Sequence, residues 1–192
     1  STQVERITED TDCKGTRIRF RGGLDGAKVN IQIDIGFGDV VYPGVEESDF
    51  PTILDFPAPR LFCYSRESAI AEKFEAMVKL GMLNSRMKDL YDIWLLSRQF
   101  NFDGANLIEA IRLTFDRRGR AIPAKIEAFT ESFAAAKQVQ WMAFRKRLHQ
   151  DHVPTAFLDI ISVVENFLSP LASALISERI KPSKWPALGP WA

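Results

Sequence analysis

The feature that most restricts the fold of this chain is a change of hydrophobic period about one third of the way along it. Before the change, Arg17, Arg19 and Arg21 alternate with Ile18 and Phe20. After the turn GGLDG, Lys28, Asn30, Gln32 and Asp34 alternate with Val29, Ile31, Ile33 and Ile35. Period two with one apolar face specifies half-buried antiparallel strands. A connector from Tyr42 to Leu61 contains Pro43, Pro51, Pro57 and Pro59 and is expected to run extended over the surface. Beyond it the period becomes helical. Ser65 can cap a helix through Leu80 that stops at Gly81; Asn84 or Ser85 can cap another through Arg98; Asp103 can cap a third through Arg118. Pro123 suits a helix first turn, Lys137 to Gln150 continues amphipathically, and Thr155 to Ile180 reads as a helix with a break at Pro170. The tail carries Trp185 and Trp191 and is expected to pack back. The fold class that follows is α+β, with a strand part over residues 1–60 and a helical bundle over residues 61–192.

Composition narrows the function classes. The 192 residues carry 25 Lys and Arg against 25 Asp and Glu, and 46% are hydrophobic, which excludes disorder and a wholly basic nucleic-acid coat. The zero total hides a polarity. Residues 1–55 hold eleven acids and six bases, a net −5, whereas residues 112–147 hold nine bases and three acids, a net +6. Two cysteines, Cys13 and Cys63, make neither a disulfide framework nor a four-ligand zinc site, so a reducing, cytoplasmic setting is expected. The opening STQVERITED shows no secretory signal, and Asp159 and Glu165 interrupt the most apolar late segment, which argues against a membrane span.

Three groups of residues could carry chemistry. Asp34 lies between Ile33 and Ile35, where a strand would hold a carboxylate rigidly, either facing water or coordinating a divalent metal. In ESAIAEKFEAMVKLG, Glu72, Glu75 and Lys79 cluster on one side of the helix, whereas Lys73 falls beside Ile70, Met77 and Leu80 on the apolar arc. Such a lysine either snorkels or makes a structural ion pair, or it binds a phosphate or carboxylate. The next helix, NSRMKDLYDIWLL, begins with Arg86, Lys88, Asp89 and Asp92 and turns apolar on all sides from Leu90. Carboxylates that open an internal helix must be paired, metal-bound or shifted in pKa. They therefore form either an ion-pair ladder or a nucleotide site. Finally, Arg117, Arg118 and Arg120, with Arg145, Lys146 and Arg147 around Trp141 and Phe144, form either solvated helix faces or an RNA surface with stacking aromatics. His149 and His152 have no supporting ligand nearby and suggest no metal role.

VNIQIDIGFGDVV, the connector PTILDFPAP, and ESAIAEKFEAMVKLGMLNSRMKDLYDIWLL together resemble the AbiEii/AbiGii toxin family, which includes the MenT nucleotidyltransferases. The likeness runs from about Thr8 to Phe144. It implies a polymerase β-like nucleotidyltransferase fold, of which residues 1–60 supply the remaining sheet, acting in toxin–antitoxin or phage-defence systems. It implies transfer of a nucleotide from an NTP, with magnesium, to RNA such as the tRNA 3′ end, and a cognate antitoxin whose mode of action is left open. Asp34 matches the family's third carboxylate and metal ligand. Lys73 matches the triphosphate lysine, and Arg86, Lys88, Asp89 and Asp92 match its last motif, with Asp92 expected among the catalytic residues. The family's earlier Gly-Ser turn and Asp-x-Asp strand are not found in residues 1–30; Asp10 and Asp12 read as a turn. Taken alone, this chain is expected to bind magnesium poorly and to be weak or inactive, a truncated relative, a part of a split enzyme, or a non-catalytic nucleotide- or RNA-binding module. An open sheet edge also predicts self-association.

Overall fold

A computed structural model describes residues 2–7, 14–177 and 182–192 of the protein. Asp10, Asp12 and Cys13 lie outside the described residues. Strands come first and helices follow, as an α+β chain, in two compact units divided between Val40 and Val41.

The first unit is a three-stranded antiparallel sheet in the order β1 (Thr2–Ile7), β2 (Lys14–Leu24), β3 (Ala27–Phe37). Asp25 and Gly26 form the β2–β3 turn, both with positive φ (47° and 81°). This is the mirror-image turn whose twist matches that of the strands, and Asp-Gly is a preferred pair for it. The resulting register places Val4, Ile18 and Ile33 in one row, and Glu5, Arg17 and Asp34 in a row on the opposite face. The alternation read from the sequence thus gives one apolar and one polar face, but the apolar face is not half-buried as expected: every residue of β3 is exposed, Ile33 by 46%.

The second unit begins with the connector, which is not merely extended. β4 (Glu46–Asp49) and β5 (Arg60–Cys63) pair antiparallel, and the Phe50 amide donates to the Pro59 carbonyl at 2.9 Å. The prolines lie outside the paired residues, where no ladder hydrogen bond is lost. α1 (Arg66–Leu80) starts at Ser65, whose Oγ accepts from the Ser68 amide at 3.1 Å, and ends at Gly81 with φ 47°. α2 (Met87–Gln99) follows a 3-10 turn; the Asn84 side chain accepts from the Arg86 amide at 2.8 Å, so Asn84 steadies the approach while Arg86 occupies the cap. α3 (Gly104–Arg117) is capped by Asp103.

Two boundaries differ from expectation. Pro123 opens no helix. The chain there is irregular, and α4 (Glu131–Leu148) starts instead at Thr130, whose Oγ1 accepts from the Phe133 amide. Upstream, the Glu127 carboxylate is held by the Met82 amide at 2.8 Å and Ile126 is buried, which fixes the approach in a non-helical path. α5 (Phe157–Ser177) runs unbroken through Pro170. Phe167 and Leu168 before the proline and Leu171, Ala172 and Ala174 after it are all buried. At about 1.5–3 kcal/mol per large apolar side chain, that burial outweighs the roughly 3 kcal/mol a mid-helix proline costs. By length and composition α5 is apolar enough to cross a membrane, yet its apolar arc forms the centre of the helical core with Phe74, Leu107, Ile111 and Trp141. The tail does pack back: β6 (Phe102–Asp103) pairs with β7 (Lys184–Trp185), and the Trp185 and Trp191 indoles donate to the carbonyls of Ser97 and Phe167.

Glu75 is the unexpected core residue. It is fully buried on α1, with Arg118 Nη1 at 2.7 Å and Arg120 Nε at 2.6 Å. A carboxylate without water must be compensated by partners of opposite charge. Replacing both arginines with methionine is expected to cost about 3–5 kcal/mol in a denaturant melt, and adding Glu75→Met should recover most of it. An unchanged midpoint in the double variant would show that the cluster contributes nothing.

Candidate functional site

α1 and α2 meet at Lys73. Its Nζ lies 2.8 Å from Asp89 Oδ1 and 2.8 Å from Asp92 Oδ2, so one ammonium bridges two carboxylates a turn apart on the facing helix. All three side chains are only about one-fifth exposed, at 22%, 20% and 19%. Burial pulls the Lys73 ammonium toward neutrality, but the hydrogen bonds and fields of Asp89 and Asp92 more than offset this and hold its pKa above the ordinary lysine value. Lys88 Nζ adds a second cation to Asp92 at 2.6 Å. Arg86 Nη1 stands 4.0 Å from Asp89, and 58% of its side chain is exposed, so its guanidinium is largely uncommitted. Beside this cluster is a cavity of about 260 Å³ lined by Tyr64, Glu72, Lys73, Arg86, Asp89 and Arg118 among others.

Five residues singled out in the sequence, Lys73, Arg86, Lys88, Asp89 and Asp92, are therefore one constellation. Tyr64, Glu72 and Arg118 were missed as cavity residues. Nothing in their spacing marks them, because the cavity forms only when the end of β5, α1 and the end of α3 converge.

Asp34 sits on the polar face of the first unit. Arg17 grips it with two hydrogen bonds, Nε to Oδ1 at 2.7 Å and Nη2 to Oδ2 at 3.0 Å, and Gln32 donates to Oδ2 at 3.1 Å. These contacts, the Arg17 hydrogen bond foremost, lower its pKa below the ordinary carboxylate value. A divalent metal does not fit here as the residues stand, because the Arg17 guanidinium lies flat against the carboxylate and neutralises the charge a dication would need. Among the described residues no group of three or more His, Cys, Asp and Glu is placed to hold one elsewhere.

The expected RNA surface is partly dismantled. Arg118 and Arg120 are committed to Glu75, and Arg145 donates to the Val153 carbonyl at 2.7 Å. Trp141 is fully buried, and Phe144 packs against Tyr91 and Trp141, so these rings are core and not an exposed stacking platform. Arg117, Lys146 and Arg147 remain on the surface.

The ion pairs of Lys73 with Asp89 and Asp92 are one of the two alternatives the sequence left open for these residues. The family model described as "Nucleotidyl transferase AbiEii toxin, Type IV TA system" matches residues 1–163. The chain belongs to the AbiEii family. It is thereby a nucleotidyl transferase toxin of a type IV toxin–antitoxin system, with a nucleotide substrate and a cognate antitoxin. No curated protein and no solved structure matches the chain.

The Arg17 clamp has a readable pH signature. A carboxylate with a lowered folded pKa contributes stability above its ordinary value, about 3.9, and loses it as pH falls through the lowered value. Carboxyl NMR should find Asp34 titrating below that range, and Arg17→Met should return it there. An Asp34 titration indifferent to Arg17→Met would contradict the clamp.

Proposed function

We propose that this AbiEii-family chain binds an NTP at the Lys73 cluster and transfers its nucleotide to RNA, with the tRNA 3′ end as acceptor and the cytoplasm as setting. The observation that carries the proposal is the Lys73 ammonium, fixed by Asp89 and Asp92 at the wall of a cavity that also presents Arg86. An ammonium has three donors, and two are used by the carboxylates. The third, together with the Arg86 fork, suits triphosphate oxygens. Asp92 acts as a positioning residue, since its Oδ2 receives both Lys73 and Lys88. Asp89 lines the cavity and offers an acceptor for a ribose hydroxyl or a base amine.

In the reaction the acceptor's 3′ oxygen forms a bond to the α-phosphorus, the bond from that phosphorus to the bridging α–β oxygen breaks, and pyrophosphate leaves with the electron pair. The acceptor hydroxyl's proton passes to solvent. Lys73 and Arg86 stabilise the charge that accumulates on the leaving pyrophosphate. Magnesium belongs to the proposal as a requirement of the assay, and no step is routed through it, because Asp34 is neutralised by Arg17.

A second reading is favoured by that same Arg17 clamp: a module that binds nucleotide or RNA without turning it over. The two edges of the sheet, β1 and β3, also support self-association.

Incubation with labelled NTPs, magnesium and total tRNA distinguishes the readings. Label should reach RNA, and Lys73→Ala should reduce the rate by about 10²–10³, the loss typical for one charge-stabilising donor. Absence of transfer with every NTP, in a protein that still binds NTP, would replace the enzyme reading with the module.

A further inference from the structure

A second cavity adjoins the first. It has a volume of about 750 Å³, lies between α2 and α4, and shares Arg86 and Asp89 with the Lys73 cavity. Lys88 stands on its α2 side, and Gln140, Phe144 and Arg147 on its α4 side. Residues 140, 144 and 147 recur at helical spacing and so share one face of α4. The Tyr91 and Phe144 rings, 5.7 Å apart, hold the two helices together at this point. Arg147 is exposed, pairs with no carboxylate among the described residues, and carries its guanidinium 6.0 Å from the centre of the Phe144 ring. Three cations, Arg86, Lys88 and Arg147, thus line the groove; Lys88 is paired with Asp92, which leaves Arg86 and Arg147 largely uncommitted.

We propose that this groove binds the single-stranded end of the acceptor RNA. A phosphodiester strand supplies the charge complement that Arg86 and Arg147 lack. A space of this size is that of a small-molecule site, which fits a few nucleotides of a strand end and not a duplex. Sequence-tolerant single-strand grooves track the strand with such cations, and the exposed guanidinium plane of Arg147 can itself carry a stacked base. The Arg86–Asp89 wall then separates donor and acceptor, with each substrate on its own side of the residues that touch both. The inference rests on the reading that the Lys73 cavity holds the NTP.

The test uses the full chain and a short fluorescein-labelled single-stranded RNA, without NTP, followed by anisotropy over a salt series. Arg147→Glu should weaken binding at least tenfold, and with one fewer phosphate neutralised the log–log salt slope should fall by about 0.7. Lys125→Glu, an equal charge reversal at an exposed position outside both cavities, should change affinity less than twofold. A calorimetric NTP titration of Arg147→Glu should match the wild type. The groove is overturned if the wild type binds no RNA, if Arg147→Glu behaves as Lys125→Glu, or if duplex RNA binds as tightly as the single strand. Failure of the NTP reading looks different: NTP binding is then absent or insensitive to Lys73→Ala, whatever the RNA does.

Discussion

Two carboxylates and one ammonium, joined across two helices, set what the helical unit can do. Asp89 and Asp92 open a helix whose Leu90, Tyr91, Ile93, Trp94 and Ser97 are buried, and two acids so placed would repel each other and resist desolvation. Lys73 removes both difficulties at once. It is in turn kept charged by them against its own burial. Because each group depends on the others, the cluster fixes how α1 faces α2. It also leaves a directed cation with a donor to spare beside an open cavity, which a surface lysine on a flexible stem would not provide.

The same unit holds a second charge cluster with the opposite character. Glu75, two residues from Lys73 on α1, is sealed from solvent and fully engaged by Arg118 and Arg120. The Glu75 carboxylate is closed off and structural, although its partner Arg118 also lines the Lys73 cavity; the Lys73 cluster borders two cavities and keeps Arg86 largely uncommitted. The basic stretch of residues 112–147 therefore divides. Its middle neutralises a buried acid, and its end, at Arg147, contributes to a groove.

Local signals were the legible ones. The Ser65 and Asp103 caps and the Gly81 stop depend on neighbours a few residues away, and the structure places them as expected; the turn expected over GGLDG is confined to Asp25 and Gly26, with Gly22 to Leu24 paired in β2. Lys73 was legible because it broke an apolar arc. Glu75 was not: on a helical wheel it groups with Glu72 and Lys79, and its partners lie 43 and 45 residues further on. The Arg17 clamp illustrates a different gap. The hairpin register that opposes Arg17 to Asp34 follows from the turn, yet Asp34 was read by itself, as a metal ligand, without its cross-strand partner. Trp141 and Phe144 looked like stacking residues because amphipathic periodicity alone does not say which arc of α4 meets α5.

The measurement closest to the central claim is a calorimetric titration of NTP into the wild-type chain and into Lys73→Met, with Glu47→Gln as a control on the exposed β4–β5 hairpin. The wild type and the control should bind alike, and Lys73→Met should bind at least tenfold more weakly while retaining its fold by circular dichroism. Equal affinity in all three would contradict the assignment of Lys73 and its paired acids as the nucleotide site.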